Sequence, residues 1–209
     1  MDRQALIAIG IILGVLVIDQ AIKLWVKTSF MVFEDRMLLP GIIRLYFVEN
    51  EGMAFGMKFG GTLGKYLLGI FRLIVSAGIA YYISLLVRQK APVGLLICIS
   101  LVFAGAIGNL IDSAVYGFLF DRGSTWVPEM ERWSGYYEGV ARLDGSGYAG
   151  FLQGHVVDML QFTVRWPLWV PKLGGQLVFS PIFNVADAAI TMSVFAILIF
   201  QKRFFGAAR

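Results

Sequence analysis

The sequence predicts an all-α integral membrane protein with four transmembrane helices, a small β element and an interfacial helix in the outer segments. Three observations predict it. The 209-residue chain is 58% hydrophobic and only 15% charged, against about 25% charged in an ordinary soluble protein. Its mean hydropathy is +0.73. The apolar residues fall in four blocks, each with the roughly 20 residues that a helix needs to cross the hydrocarbon layer. The same figures exclude a disordered chain, which needs low hydrophobicity and high charge. One cysteine and one histidine exclude an internal disulfide framework and the usual zinc ligand set.

The first span runs from about Ala5 to Val26. Arg3 ahead of an apolar run suggests a secretory leader. The run is too long for one, carries Asp19 and Lys23, and lacks a small-x-small cleavage site, so it reads as a retained span. In the outer segment 27–65, Ile42 to Val48 reads as a strand and Glu49-Asn50-Glu51-Gly52 as a turn. The small apolar stretch Met53 to Met57 reads as an element on the membrane surface. The second span runs from about Tyr66 to Val87 and the third from about Ala91 to Val115. The outer segment 116–181 is rich in glycine and aromatic residues. Trp166 and Trp169, beside Pro167 and Pro171, suit the interfacial layer. Ser180-Pro181 reads as an N-cap and first helical residue, opening a fourth span from about Ile182 to Phe200. No repeat or second domain is visible, so residues 1–209 read as one membrane domain.

Orientation follows from the basic residues at the span ends. Arg3, Arg88, Lys90, Lys202, Arg203 and Arg209 lie at the termini and in the short link between spans two and three, against the single acid Asp2. The two long segments have no such excess. Both termini are therefore expected in the cytoplasm. The net charge of +4 is mostly a topology signal, and a nucleic-acid partner has no basic stripe to bind.

A charged group in hydrocarbon needs a partner or a job. The spans carry Asp19, Lys23, Arg72, Asn109, Asp112, Asn184 and Asp187. At 1.5 Å per residue, Asp19, Arg72, Asp112 and Asp187 all fall within about 10 Å of the outer boundary. Asp19 and Lys23 are i, i+4 on one face and can pair. Asn109 with Asp112, and Asn184 with Asp187, are i, i+3, so each pair presents an amide and a carboxylate together. Gly105, Gly108, Ala186 and Ala188 permit close helix approach. On this evidence alone the polar residues are either glue between helices, a proton or ion pathway, or a catalytic site.

Five stretches narrow the choice. They are Asp19-Gln20-x-x-Lys23, Asn50-Glu51-Gly52-Met53-Ala54-Phe55-Gly56, Gly108-Asn109-Leu110-Ile111-Asp112, His155-Val156-Val157-Asp158-Met159 and Phe183-Asn184-Val185-Ala186-Asp187. In this order and topology the chain resembles the lipoprotein signal peptidase (signal peptidase II) family, bacterial membrane aspartic proteases. The resemblance implies that Asp158 and Asp187 are the catalytic pair. It implies supporting or substrate-binding roles for Asp19, Lys23, Asn50, Gly52, Gly108, Asn109, Asp112, Asn184 and Ala186. Composition alone does not choose Asp158 over Asp112.

The resemblance further implies diacylglyceryl-modified prolipoprotein substrates, contact with membrane lipids and an active site near the outer face of the plasma membrane. It implies no metal or cofactor, and the chain is expected to be a monomer. The alternative is a small proton- or ion-coupled transporter, which predicts carboxylates spread through the bilayer and often a repeat between halves. Two departures stand out. Ser113 occupies the place of the arginine in the family's G-N-x-x-D-R motif, with Arg72 or Arg122 as candidate replacements. Residues 117–153 read as an insertion of unassigned role.

Overall fold

The computed structural model describes residues 2–52 and 61–206. The surface element expected at Met53 to Met57 lies outside the described residues. The chain forms two compact units. The first comprises Met1–Ile22, Tyr66–Ile111 and Val185–Arg209, the second Lys23–Lys65 and Asp112–Asn184.

The first unit is helical. It takes most of α1 (Arg3–Ser29), α2 (Gly61–Arg88) and α3 (Val93–Leu119), with α4 (Val185–Ile199) and α5 (Gln201–Phe205). At 27, 28 and 27 residues, α1, α2 and α3 each extend about 40 Å. Each is long and apolar enough to cross a membrane. Leu13, Val17, Phe71, Ile74 and Tyr81 are all more than half exposed. An uncovered apolar surface of this kind suits lipid and not water.

The fourth apolar helix is shorter than expected. α4 has 15 residues, fewer than a full crossing needs. It starts at Val185, not at Ile182, and Ser180-Pro181 does not open it. The reason is a competing use of the backbone, since Phe183 exchanges two hydrogen bonds with Leu160, at 2.9 and 2.8 Å. At the other end, Phe200 N–H donates to the Ala196 carbonyl at 2.9 Å and Phe204 N–H to the Phe200 carbonyl at 3.0 Å. Helical bonding therefore carries over from α4 into α5.

Three chain segments meet at one end of this unit. Gln4 Nε2 donates to the Ala91 carbonyl at 2.9 Å, and Lys90 pairs with Asp2 at 3.4 Å. Ala8, Leu86, Leu95 and Leu96 form a buried cluster against which Ile197 and Phe204 pack. The N-terminus, the α2–α3 link and α5 thus share an end. Further along, α3 packs closely on α4. A Cβ on Gly105 would stand 2.4 Å from the Ala186 carbonyl oxygen.

The second unit is built on a three-stranded antiparallel sheet in the order β1-β2-β5, from β1 (Asp35–Leu39), β2 (Ile43–Asn50) and β5 (Val156–Phe162). β1 and β2 are joined through Gly41, whose φ of 75° favours glycine. β2 runs two residues beyond the expected strand end, because Glu49 and Asn50 pair with Val157 and Val156. Their place is thus in the sheet, and the turn begins after them. Residues 117–153, expected to be an insertion, are folded too. β3 (Trp126–Val127) and β4 (Arg132–Trp133) form a small hairpin around the 3₁₀ turn Pro128–Met130. Phe120 bridges to Leu143.

The Gly105 contact yields a prediction. Gly105→Val drives a side chain into a backbone atom and should cost about 1–3 kcal/mol. The thermal unfolding midpoint of the detergent-purified variant should fall clearly. An unchanged midpoint would show that α3 and α4 do not pack as closely as this.

Candidate active site

Asp158 stands on β5, opposite Val48. It is buried, and two carboxamides hold it. Asn50 Nδ2 donates to its Oδ2 at 2.9 Å, and Asn184 Nδ2 donates to its Oδ1 at 2.7 Å. Asn184 also reaches the Val157 carbonyl at 3.3 Å. Asn50 Oδ1 in turn accepts the Gly52 N–H at 2.9 Å. Gly52 has a φ of 91°, so the tight turn at this point calls for glycine.

Asp112 and Lys23 are fully buried and form an ion pair at 2.8 Å. Asp112 Oδ2 also accepts the Val157 N–H at 3.2 Å, one residue before Asp158. Sequence spacing does not show this partner for Lys23, since Asp112 lies on α3. This pair braces the strand that carries Asp158.

In the first unit Asp19 has another task. Its Oδ1 accepts the Ala186 N–H at 2.9 Å, which supplies a partner for one of the orphan donors at the start of α4. Gln20 Nε2 donates to Asp19 Oδ2 and to the Gly108 carbonyl, both at 3.1 Å. A Cβ on Gly108 would stand 2.7 Å from that carboxylate and 3.3 Å from the Ala186 Cβ. Gly108 and Ala186 are small because the cap needs the room. Asp187 follows directly, in the first turn of α4. Asn109 Nδ2 donates to its Oδ1 at 2.8 Å. Asp187 is half-buried.

Each supporting residue thus has a defined partner within its own unit. Sequence reasoning did not find the group around His155, which reads as an ordinary loop residue. His155 is buried, and the Lys65 ammonium lies 2.9 and 2.8 Å from its two ring nitrogens. The same ammonium sits 4.4 Å from the Trp133 ring centroid. Burial, then the charges of Lys65 and Lys27, hold the imidazole well below its ordinary value of 6.5. Of the two candidate replacements for the family arginine, Arg122 is already engaged. It bonds Asp121 at 2.8 and 3.0 Å and the Glu138 carbonyl at 2.6 Å. Arg72 is half-buried on α2. Among the described residues no group of three or more His, Cys, Asp or Glu side chains has a metal-binding arrangement.

The family model described as Signal peptidase (SPase) II matches residues 11–203. The chain belongs to the signal peptidase II family. It is 35% identical to a lipoprotein signal peptidase of Porphyromonas gingivalis, over 96% of this chain and 84% of that relative. It is 36% identical to one of Amoebophilus asiaticus, over 93% of this chain and 76% of that relative. Two solved bacterial membrane enzyme structures share its fold, at TM-scores of 0.59 and 0.56 and identities of 20% and 22%. The matches cover 97% and 93% of this chain and 91% of each of those chains. The protein is accordingly a bacterial membrane peptidase, and the transporter reading is not favoured.

Two predictions follow from the geometry of this signal peptidase. Asp112→Asn takes a carboxylate from the buried Lys23 ammonium and should cost about 3–5 kcal/mol. Unfolding of the purified variant measures this, and an unchanged stability would mean the pair is not a brace. The second concerns pH. The folded imidazole of His155 resists protonation, while the unfolded one binds a proton below about pH 6.5. Its contribution to stability is therefore complete above that pH and is lost as pH falls through it. Thermal stability should decline between about pH 7 and 5.5, and His155→Gln should flatten that decline.

Proposed function

We propose that this peptidase is an aspartic endopeptidase that removes signal peptides from diacylglyceryl-modified prolipoproteins, cutting on the amino side of the lipidated cysteine. Asp158 and Asp187 are the catalytic pair. The observation that carries this reading is the unequal use of the aspartates. Asp112 is spent on Lys23 and a strand amide, and Asp19 on the N-terminus of α4. Asp158 and Asp187 accept from the carboxamides of Asn50, Asn184 and Asn109, three residues of the motifs. A carboxamide N–H orients a carboxylate by bonding to its oxygens.

In this mechanism the pair carries one proton. The ionised aspartate takes a proton from water, whose oxygen attacks the scissile carbonyl carbon. The protonated aspartate gives its proton to the carbonyl oxygen as charge develops there. The resulting tetrahedral diol then collapses. A proton passes to the cysteine nitrogen, the C–N bond breaks, and the signal peptide leaves with a free carboxyl group. Asn50, Asn184 and Asn109 keep the carboxylates aimed through these steps.

The membrane setting is part of the proposal. α4 and α5 together make the fourth crossing, supported by the backbone bonds through Phe200. Both termini are cytoplasmic. The basic residues at the span ends support this, as does the meeting of Gln4, Lys90 and Phe204 at one end of the helical unit. The active site lies near the outer face, where a lipidated cysteine keeps its acyl chains. The enzyme acts as a monomer.

Cleavage of a fluorogenic diacylated lipopeptide by the purified protein tests the reading. Asp158→Asn and Asp187→Asn should each lower turnover by about four orders of magnitude, with unfolding midpoints near wild type. Asn109→Ala should lower kcat about 10- to 100-fold. Full turnover in either aspartate variant overturns the pair.

A further inference from the structure

The insertion is organised around one buried charge. Lys27, in the last turn of α1, is buried. Its ammonium is paired with the Glu49 carboxylate. It also donates to the Arg122 carbonyl at 3.2 Å and lies 3.4 Å from the Tyr137 hydroxyl. Three rings surround it, with centroids of Phe120, Tyr137 and Tyr148 at 4.8, 5.2 and 5.3 Å. All three rings come from residues 117–153.

The same residues complete Glu49. The Tyr137 hydroxyl donates to Glu49 Oε1 at 3.1 Å, and the Ser124 N–H donates to Oε2 at 2.7 Å. Burial and the Glu49 charge push the Tyr137 phenol well above its ordinary range, so it stays a donor. Glu49 therefore has its carboxylate filled from α1 and from two points of the insertion.

The position of Glu49 gives this cluster its consequence. Successive side chains on a strand point to opposite faces. Glu49 pairs with Val157 and Val48 with Asp158. Asn50, like Val48, therefore faces the Asp158 side, and Glu49 faces the back. We propose that the Lys27–Glu49–Tyr137 cluster is a positioning device, in which the insertion locks the back of β2 and so holds the Asn50 carboxamide on Asp158. The insertion then supports the catalytic apparatus through β2. This inference rests on the assignment of Asp158 made above.

The test uses the full-length protein in detergent, with kcat and KM read per folded molecule on the diacylated lipopeptide. Tyr137→Phe removes one hydroxyl and keeps the ring over Lys27. It should lower kcat about tenfold and leave KM within about twofold. Glu49→Gln should lower kcat further. The double variant Tyr137→Phe/Asn50→Ala should be no slower than Asn50→Ala alone, because both changes act on one bond. A merely structural insertion predicts a lower melting point with kcat unchanged. It also predicts additive losses where there are any. Wild-type kcat in Tyr137→Phe, or additivity in the double variant, overturns the proposal. Asp158→Asn separates the two levels. If it retains turnover, the reading of Asp158 itself fails. If it is dead while Tyr137→Phe is normal, only the positioning device fails.

Discussion

Every helix begins with N–H groups that no turn of its own can satisfy. In α4 one of them, at Ala186, is met by the Asp19 carboxylate from α1. A negative charge there also suits the positive end of the helix dipole. The bond depends on an absence of side chains, because a Cβ on Gly108 would stand 2.7 Å from the carboxylate. The dipeptides Gly108-Asn109 on α3 and Ala186-Asp187 on α4 then match in use. The small residue of each makes room for the cap, and its neighbour belongs to the Asn109–Asp187 hydrogen bond. Fixing where α4 starts fixes where Asp187 stands.

The same economy of donors separates the aspartates. A carboxylate taken out of water must recover its hydrogen bonds from the protein. Asp112 recovers them from a cation and a backbone amide, which ties α3 to β5. Asp19 recovers them from a helix N-terminus and Gln20. Both act as fasteners between elements. Asp158 and Asp187 accept from side-chain amides, an arrangement that fixes their direction.

Much of this was legible in the sequence, and the boundary of legibility has a physical cause. Long apolar runs announced α1, α2 and α3, and Gly105 and Gly108 announced close helix contact. What failed was whatever depended on a distant partner. Ser180-Pro181 carries the local chemistry of a helix start, yet Phe183 gives its backbone to Leu160 and the helix waits until Val185. Glu49-Asn50 has turn composition, yet pairing with β5 keeps it in the strand. The bond from Lys23 to Asp112 spans 89 positions, and no local spacing shows it. Lys65 with His155, and Lys27 with Glu49, gave no local signal at all. The five motifs point to these residues because they record such distant pairings as a fixed set.

The two departures from the family pattern meet at one place. Ser113 is buried, and its carbonyl accepts the Gly154 N–H at 2.9 Å. A Cβ on Gly154 would stand 2.2 Å from the Asp112 carbonyl oxygen and 3.0 Å from the Gly117 nitrogen. The chain returning from the insertion therefore lies directly on α3 at Asp112, Ser113 and Gly117. A small residue suits a helix face covered this closely, whereas a guanidinium there would need donors' partners of its own. Two residues later the returning chain reaches Val156 and starts β5. The exit of the insertion thus seats Asp158's strand against α3, and Ser113 with Gly154 is the contact that allows it.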